Sequence, residues 1–371
     1  MIQTNIGITV DAFREMLESR QPVTVLDVRP VEERAEWAIP GSIHVDAYTA
    51  LREGDPDALA GLDLPDGPVV TVCAAGRTSL IAALQLRGRG IEALSLSGGM
   101  KGWSLAWNSV DIRLASGSTE VVQVRRTGKG CLSYLIASNR CAAVVDAALP
   151  PEVYQRIADE RGWTITHVFD THIHADHLTR ARQLAAATGA TLLAPDQERV
   201  AYPFSPIRDG DVVRIGDTAV TALHTPGHTP ESMSYLLDDK VVLTGDTLFL
   251  EGVGRPDLEA SAGEATTRAH ALYGSLQKLC ALPPDTIVLP GHTSSPVPFD
   301  REPVLRMLAD VVERIELLQH GEDSFVTSIL GRIPPTPPNH ALIVQLNEAG
   351  LVPELVDTID LEAGANCCAV S

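Results

Sequence analysis

The stretch THIHADH at 171–177 gathers His172, His174, Asp176 and His177 just after the apolar run ITHVF. Buried imidazoles and carboxylates are costly without partners, so a group this dense needs something to hold. Three later stretches carry the same donor types: TPGHT with His228, TGDTLF with Asp246 and LPGHT with His292. Each follows a β-branched or apolar run. Each also has a glycine that lets backbone and side chain approach a shared centre. Imidazoles and carboxylates at strand ends suit borderline metals such as zinc or iron. A second chemistry sits at Cys73, which ends the run VVTVC and opens the loop AAGRTSL. Loop N–H groups and a helix N-terminus cradle an anion there, favouring a thiolate or persulfide. Arg77 adds positive charge at the rim.

The elements that must position these residues fall into two patterns. Residues 9–20 read as a helix with Thr9 as N-cap. VTVLDVR (23–29), PVVTVC (68–73) and IEALSL read as short buried strands, and TSLIAALQLRGRG (78–90) as a helix closed by glycine. Strands alternating with helices predict a parallel sheet with helices on its faces. The polar stretch that follows predicts a linker, placed at 111–118. Beyond it, EVVQVRR, CLSYLIAS and CAAVVDA predict successive strands, and PEVYQRIADERG (151–162) a helix. DVVRIGDTAVTALHT and SMSYLLDDKVVLTGD predict antiparallel strands. Leu305, Leu308, Val312, Ile315 and Leu318 fall at helical spacing and predict a packing face.

Bulk properties narrow the class. A chain of 371 residues exceeds one ordinary core and predicts two domains. An apolar content of 44% excludes a disordered chain. The apolar runs are strand-sized, so no membrane span is expected. The first residues lack a basic region followed by an apolar block, which makes a cytoplasmic location the expectation. A net charge of -19 argues against nucleic acid as partner. The six cysteines show no CxxC pair, so most, including Cys367 and Cys368 in the tail, read as ordinary thiols.

Two resemblances emerge from these motifs. VLDVRPVEERAEWAIPGSIHV (25–45), CAAGRTS (73–79) and LSGGMKGW (96–103) together resemble a rhodanese domain, here spanning 1–110. The resemblance implies that Cys73 carries sulfane sulfur as a persulfide and that Arg77 helps to bind its anionic substrate. Related phosphatases need an arginine six places after the cysteine, where this chain has Ser79, so phosphate-ester chemistry is not expected. THIHADH, TPGHT, TGDTLF and PGHT, in that order, resemble the metallo-β-lactamase superfamily over 119–371. That family implies an αββα sandwich with metal at its edge. The expected fold class is therefore α/β, a rhodanese-like parallel sheet with flanking helices followed by the sandwich.

Two kinds of superfamily member fit. Glyoxalase II hydrolases fill all seven positions around two metals, zinc or iron, and cleave thioesters. Persulfide dioxygenases keep one Fe(II), which by resemblance would be held by His172, His228 and Asp246. His174, Asp176, His177 and His292 would then line a vacant second position. GCLSYLI, TPGHTPESMSYLL and TGDTLFLEGVGRPDL look like the dioxygenase branch, whose Gly-Arg-x-Asp stretch is here Gly254 to Asp257. Arg255 would then bind a carboxylate of the thiol substrate. The resulting expectation is an iron enzyme, with zinc possible at the same site. It oxidises a small thiol persulfide with O2 to sulfite and thiol, for sulfide detoxification. The rhodanese domain would exchange sulfane sulfur with thiosulfate or sulfite. Many relatives are oligomers, so a homo-oligomer is expected. A dinuclear thioester hydrolase of the glyoxalase II type is the alternative.

Overall fold

The computed structural model describes residues 6–114, 118–353, 355–364 and 367–371, with side chains of 355–357 excepted. The first domain is built on five parallel strands. In spatial order they are Gly7–Ile8, Ala93–Leu96, Val69–Val72, Thr24–Asp27 and Ile43–His44. β-Branched residues dominate the two central strands Val69–Val72 and Thr24–Asp27, as expected of a sheet covered on both faces. The first helix, Val10–Glu18, is capped by Thr9, whose hydroxyl accepts from Ala12 N at 3.2 Å. One face of the sheet packs Leu26, Val69 and Cys73 against Ala82, Ala83 and Leu86 of the helix Arg77–Gly88. The other packs Val25, Val70 and Val72 with Phe13 and Trp103.

The second domain has four layers. A seven-stranded sheet runs from Asn108–Ile112 at one edge to Ser205–Ile207 at the other, and a six-stranded sheet faces it. The alternation of strand Cys131–Ser138 shows why. Leu132, Tyr134 and Ile136 point between the sheets, against Val220, Ala222 and Tyr235. Leu135 and Ala137 point outward, against Tyr154 and Ile157 of the helix Pro151–Arg161. The facing sheet repeats the scheme, packing Leu236, Val242 and Val288 on Leu272 and Leu276 of the long helix Ala262–Cys280. This is the expected αββα order, reached because period-two strands have two apolar faces to cover.

Two local expectations change. The expected linker begins inside a strand: Asn108–Ile112 pairs antiparallel with Glu120–Arg126, so Asp111 and Ile112 belong to the second sheet. Residues 115–117 of that linker lie outside the described residues. The helical stripe over 305–318 divides into the helix Leu308–Arg314 and a 3₁₀ turn, because Ile315 takes an extended backbone. Leu308, Ile315 and Leu317 still bury in one core. Among the described residues, no helix is long and apolar enough to cross a membrane.

The domains touch through buried polar contacts. Arg126 Nε donates to Ser104 O at 2.8 Å, and Gly128 N to Ala106 O at 3.2 Å.

Candidate metal centre

Four strand ends converge on one edge of the sandwich. Strand Thr164–Phe169 delivers the loop with His172, His174, Asp176 and His177. Thr218–His224 leads to His228, Val241–Gly245 to Asp246, and Ile287–Pro290 to His292. All seven side chains are buried. The approach depends on two glycines. Gly245 turns with φ +49°, and a Cβ there would meet Thr171 Oγ1 at 2.7 Å. A Cβ on Gly291 would meet Asp246 Oδ1 at 2.6 Å. Neither position tolerates a side chain without displacing the site.

The ring nitrogens divide into outer and inner sets. His172 Nδ1 bonds Thr171 Oγ1 at 2.9 Å, His174 Nε2 bonds Asp146 Oδ1 at 3.2 Å, and His228 Nδ1 bonds Arg255 O at 2.8 Å. His177 Nδ1 bonds Asp176 Oδ1 at 3.0 Å. The opposite atoms His172 Nε2, His174 Nδ1, His177 Nε2 and Asp246 Oδ2 are buried with no hydrogen-bond partner. Buried polar atoms are seldom orphaned, and second-shell bonds of this kind fix the tautomer of metal-ligating histidine. Asp246 Oδ2 lies 3.9 Å from His172 Nε2 and 3.7 Å from His228 Nε2. Donors about 2.0–2.2 Å from one ion span such distances. The residues therefore fit divalent metal, and the fit extends beyond His172, His228 and Asp246. Asp176, His177 and His292 gather in a second group, their ligand atoms within 4.8 Å of one another.

The two groups differ electrostatically. Burial, joined by His174, presses the His172 pKa well below its ordinary value, which keeps the ring neutral for ligation. In the second group burial also opposes charge, but Asp176 outweighs it and raises His177 to about 10. His292 is raised as well, despite burial, by Asp176 and Asp246, which it contacts at 2.8 and 2.6 Å. Metal entering the second group must displace protons.

Several supporting residues carry no strong sequence signal. Asp146 follows strand Cys141–Val145 with φ 54° and accepts from Thr171 N, Thr171 Oγ1 and His174. Its placement after a β-branched run, like that of Asp246, is the clue. Asn347 donates to His174 O at 2.8 Å and His177 O at 2.9 Å, tying the ligand loop to the helix His340–Ala349. Glu231 accepts from Ile173 N at 3.1 Å. Cys368 is no ordinary tail thiol. Strand Ala369–Val370 pairs with Val253–Gly254, which brings Cys368 Sγ within 4.8 Å of ligand atoms of Asp246 and His292.

Arg255 is corrected. Its guanidinium is buried and gives every donor to the protein: Nε and Nη2 to Asp257 at 2.7 and 2.8 Å, and Nη1 and Nη2 to the carbonyls of Cys367, Pro334 and Pro335. No donor remains for a substrate carboxylate. A cavity of about 440 Å³ reaches Asp176 instead, lined by Glu36, Lys129, Pro335, His340 and Cys367 among others. Lys129 is the one lysine or arginine among its lining residues.

In the first domain, Cys73 sits buried below its loop. Gly76 N donates to Sγ at 3.1 Å, and Ser79 Oγ lies 3.3 Å from it. Arg77 opens the helix Arg77–Gly88 with its side chain exposed. The sulfur thus faces an amide and a helix N-terminus, both suited to an anion.

Comparison with known proteins agrees with the two-part fold. Residues 126–292 match the metallo-beta-lactamase superfamily, and residues 9–106 the rhodanese-like domain. The chain is 39% identical over 153 residues to a hydroxyacylglutathione hydrolase of Rhizobium johnstonii, covering 40% of this chain and 56% of that protein. It is 36% identical over 195 residues to the hydroxyacylglutathione hydrolase of Methylococcus capsulatus, covering 51% and 73%. The chain spans little more than half the length of the first of these relatives. Among solved structures, ETHE1 from Myxococcus xanthus shares 31% identity with a TM-score of 0.53, over 62% of this chain and 97% of that one. A metallo-beta-lactamase from Staphylococcus aureus shares 27% with a TM-score of 0.58, over 64% and 74%. These names correct the expected reaction. Curated relatives at 36 to 40% identity are hydrolases, so the expectation of a sulfur dioxygenase and oxidoreductase is overturned. On these matches, the chain belongs to the metallo-beta-lactamase superfamily and carries a rhodanese-like domain ahead of the metal-binding fold.

Proposed function

We propose that the second domain is a two-metal hydrolase that cleaves a thioester of a small thiol, and that the first is a sulfurtransferase working through Cys73. The observation that carries the hydrolase reading is the split of ring nitrogens at the centre. Outward nitrogens of His172 and His174 are bonded to Thr171 and Asp146, and His172 Nε2, His174 Nδ1, His177 Nε2 and Asp246 Oδ2 are buried and unpaired, so unpaired atoms occur in both groups. His172, His174, His228 and Asp246 would hold one ion, and Asp176, His177, His292 and Asp246 the other. The donor set accepts zinc or iron. When bound, such a pair polarises a carbonyl and lowers the pKa of water enough to make a nucleophile at neutral pH.

The chain's own residues supply the rest. Asp146 and Thr171 hold the inner nitrogens in place, and Asn347 and Glu231 fix the ligand loop. The cavity beside Asp176 has room for a small acyl-thiol, and Lys129 within it suits the carboxylate of a glutathione-type thiol. The products are a carboxylic acid and the thiol. The names of the curated relatives favour a hydroxyacyl ester of glutathione as the first substrate to assay.

The test uses the full chain loaded with zinc, and separately with iron. Thiol release from a hydroxyacyl-glutathione is the expected result, with about two equivalents of metal bound. Uptake of O2 with glutathione persulfide, without any thioester cleavage, would refute the reading.

A further inference from the structure

Cys131 lies at the start of strand Cys131–Ser138, buried, and no part of the hydrolase reading uses it. Its Sγ lies 3.4 Å from Asp176 Oδ2. Cys131, Asp176, His177 and His292 form one buried group whose ligand atoms all lie within 4.8 Å of one another. The backbone holds this arrangement rigidly. Cys131 and His292 face each other across an antiparallel bridge, closed by Leu132 N to Gly291 O at 2.8 Å and Thr293 N to Gly130 O at 2.9 Å. A second observation points to a ligand: His177 Nε2 is buried in the same group and has no partner. Gly130 takes φ +103° to bring the strand in, and a Cβ there would meet Thr293 Oγ1 at 3.0 Å.

We propose that Cys131, rather than the shared Asp246, is the fourth protein donor to the metal position formed by Asp176, His177 and His292, giving it a Cys-Asp-His-His set and leaving Asp246 to the other position. The proposal rests on the reading of that group as a metal position. Cysteine, imidazole and carboxylate in a set of four match the tetrahedral preference of zinc. A thiolate is soft, and it biases this position toward zinc over oxygen-seeking ions such as manganese or magnesium. The other position has only imidazole and carboxylate donors, so the two ions are chemically unlike. Binding at the new donor exchanges the thiol proton for the metal–sulfur bond, and no electron moves.

X-ray absorption at the zinc edge tests the proposal on the full chain, with metal content measured on the same samples. The wild type should bind two zincs and show a sulfur shell at about 2.3 Å, close to one sulfur for every two zincs. Cys131→Ser should lose that shell, whereas Cys368→Ser should keep it. Cobalt loading gives a parallel readout, a near-ultraviolet thiolate-to-cobalt band that disappears in Cys131→Ser alone. Two bound zincs with only nitrogen and oxygen scattering would overturn the ligand assignment and leave the two-metal reading standing. A sulfur shell lost in Cys368→Ser and kept in Cys131→Ser would overturn it in favour of the tail thiol. A single zinc per wild-type chain with no sulfur shell would remove the second metal position, and the assignment with it.

Discussion

The carboxylate of Asp146 accepts from His174 Nε2 at 3.2 Å, and this bond leaves His174 Nδ1 unpaired at the centre of the site. The same carboxylate takes Thr171 N at 2.7 Å and Thr171 Oγ1 at 2.9 Å. One side chain thus fixes both the ring and the loop. Asp146→Asn preserves its shape and the left-handed backbone that asparagine tolerates. It removes the charge that holds the Nε2–H tautomer. Zinc affinity, measured by competition with a chelator, should fall about 10- to 100-fold, with the circular dichroism spectrum unchanged. An unchanged affinity would mean that His174 needs no such partner.

Cys73 and the metal centre lie in separate domains with separate cores. Cys73→Ser should therefore abolish sulfur transfer from thiosulfate to a thiol acceptor or cyanide. Thioester cleavage should stay within about twofold of wild type, as expected for sites with no shared partners. Loss of both activities in a folded variant would refute this division of labour.

Arg255, expected to bind the substrate carboxylate, gives its donors to the protein, and Lys129 in the cavity takes that role in the proposed function. Arg255→Lys cannot replace a bidentate bond to Asp257 together with contacts to three carbonyls. Breaking so buried a cluster should cost about 3 kcal/mol, read as a lower urea midpoint. KM for the thioester should not change. Lys129→Met should do the opposite, raising KM several-fold with little loss of stability. A KM effect confined to Arg255→Lys would restore the original assignment.

These residues also show what a sequence can reveal. The cluster of candidate donors was legible because strand ends, glycines and donor types coincide within short segments. The alternation that builds both sheets was legible for the same reason, since period-two burial is local. Arg255 was misread because its partners are remote. It bonds the carbonyls of Pro334, Pro335 and Cys367, about 80 to 110 residues away, and Cys367 lies beside the strand Ala369–Val370 that pairs with Val253–Gly254. Cys131 was passed over because one cysteine at a strand start resembles any small core residue. Its meaning appears only across the bridge to His292. The reaction class was misjudged because the same seven donors serve one metal or two, and the flanking stretches that decided the reading do not distinguish the two.

Glu362 makes the stability of the fold depend on pH. It is buried and pairs with Arg126 at 2.7 Å and Arg180 at 3.2 Å, and accepts from Leu178 N at 2.9 Å. Burial raises its pKa, but Arg126 and Arg180 outweigh burial and hold it below the ordinary glutamate value of 4.5. A carboxylate lowered in the folded state contributes stability above its unfolded pKa. That contribution fades as pH falls through the folded value. Glu362→Gln leaves two buried guanidiniums short of a charge, so at neutral pH the loss should be about 3 kcal/mol. The gap from wild type should hold down to about pH 5 and narrow below it, because the wild type loses what the variant lacks. Urea midpoints of both proteins across that range measure it. A gap that widens as pH falls would show that the charge of Glu362 opposes the fold.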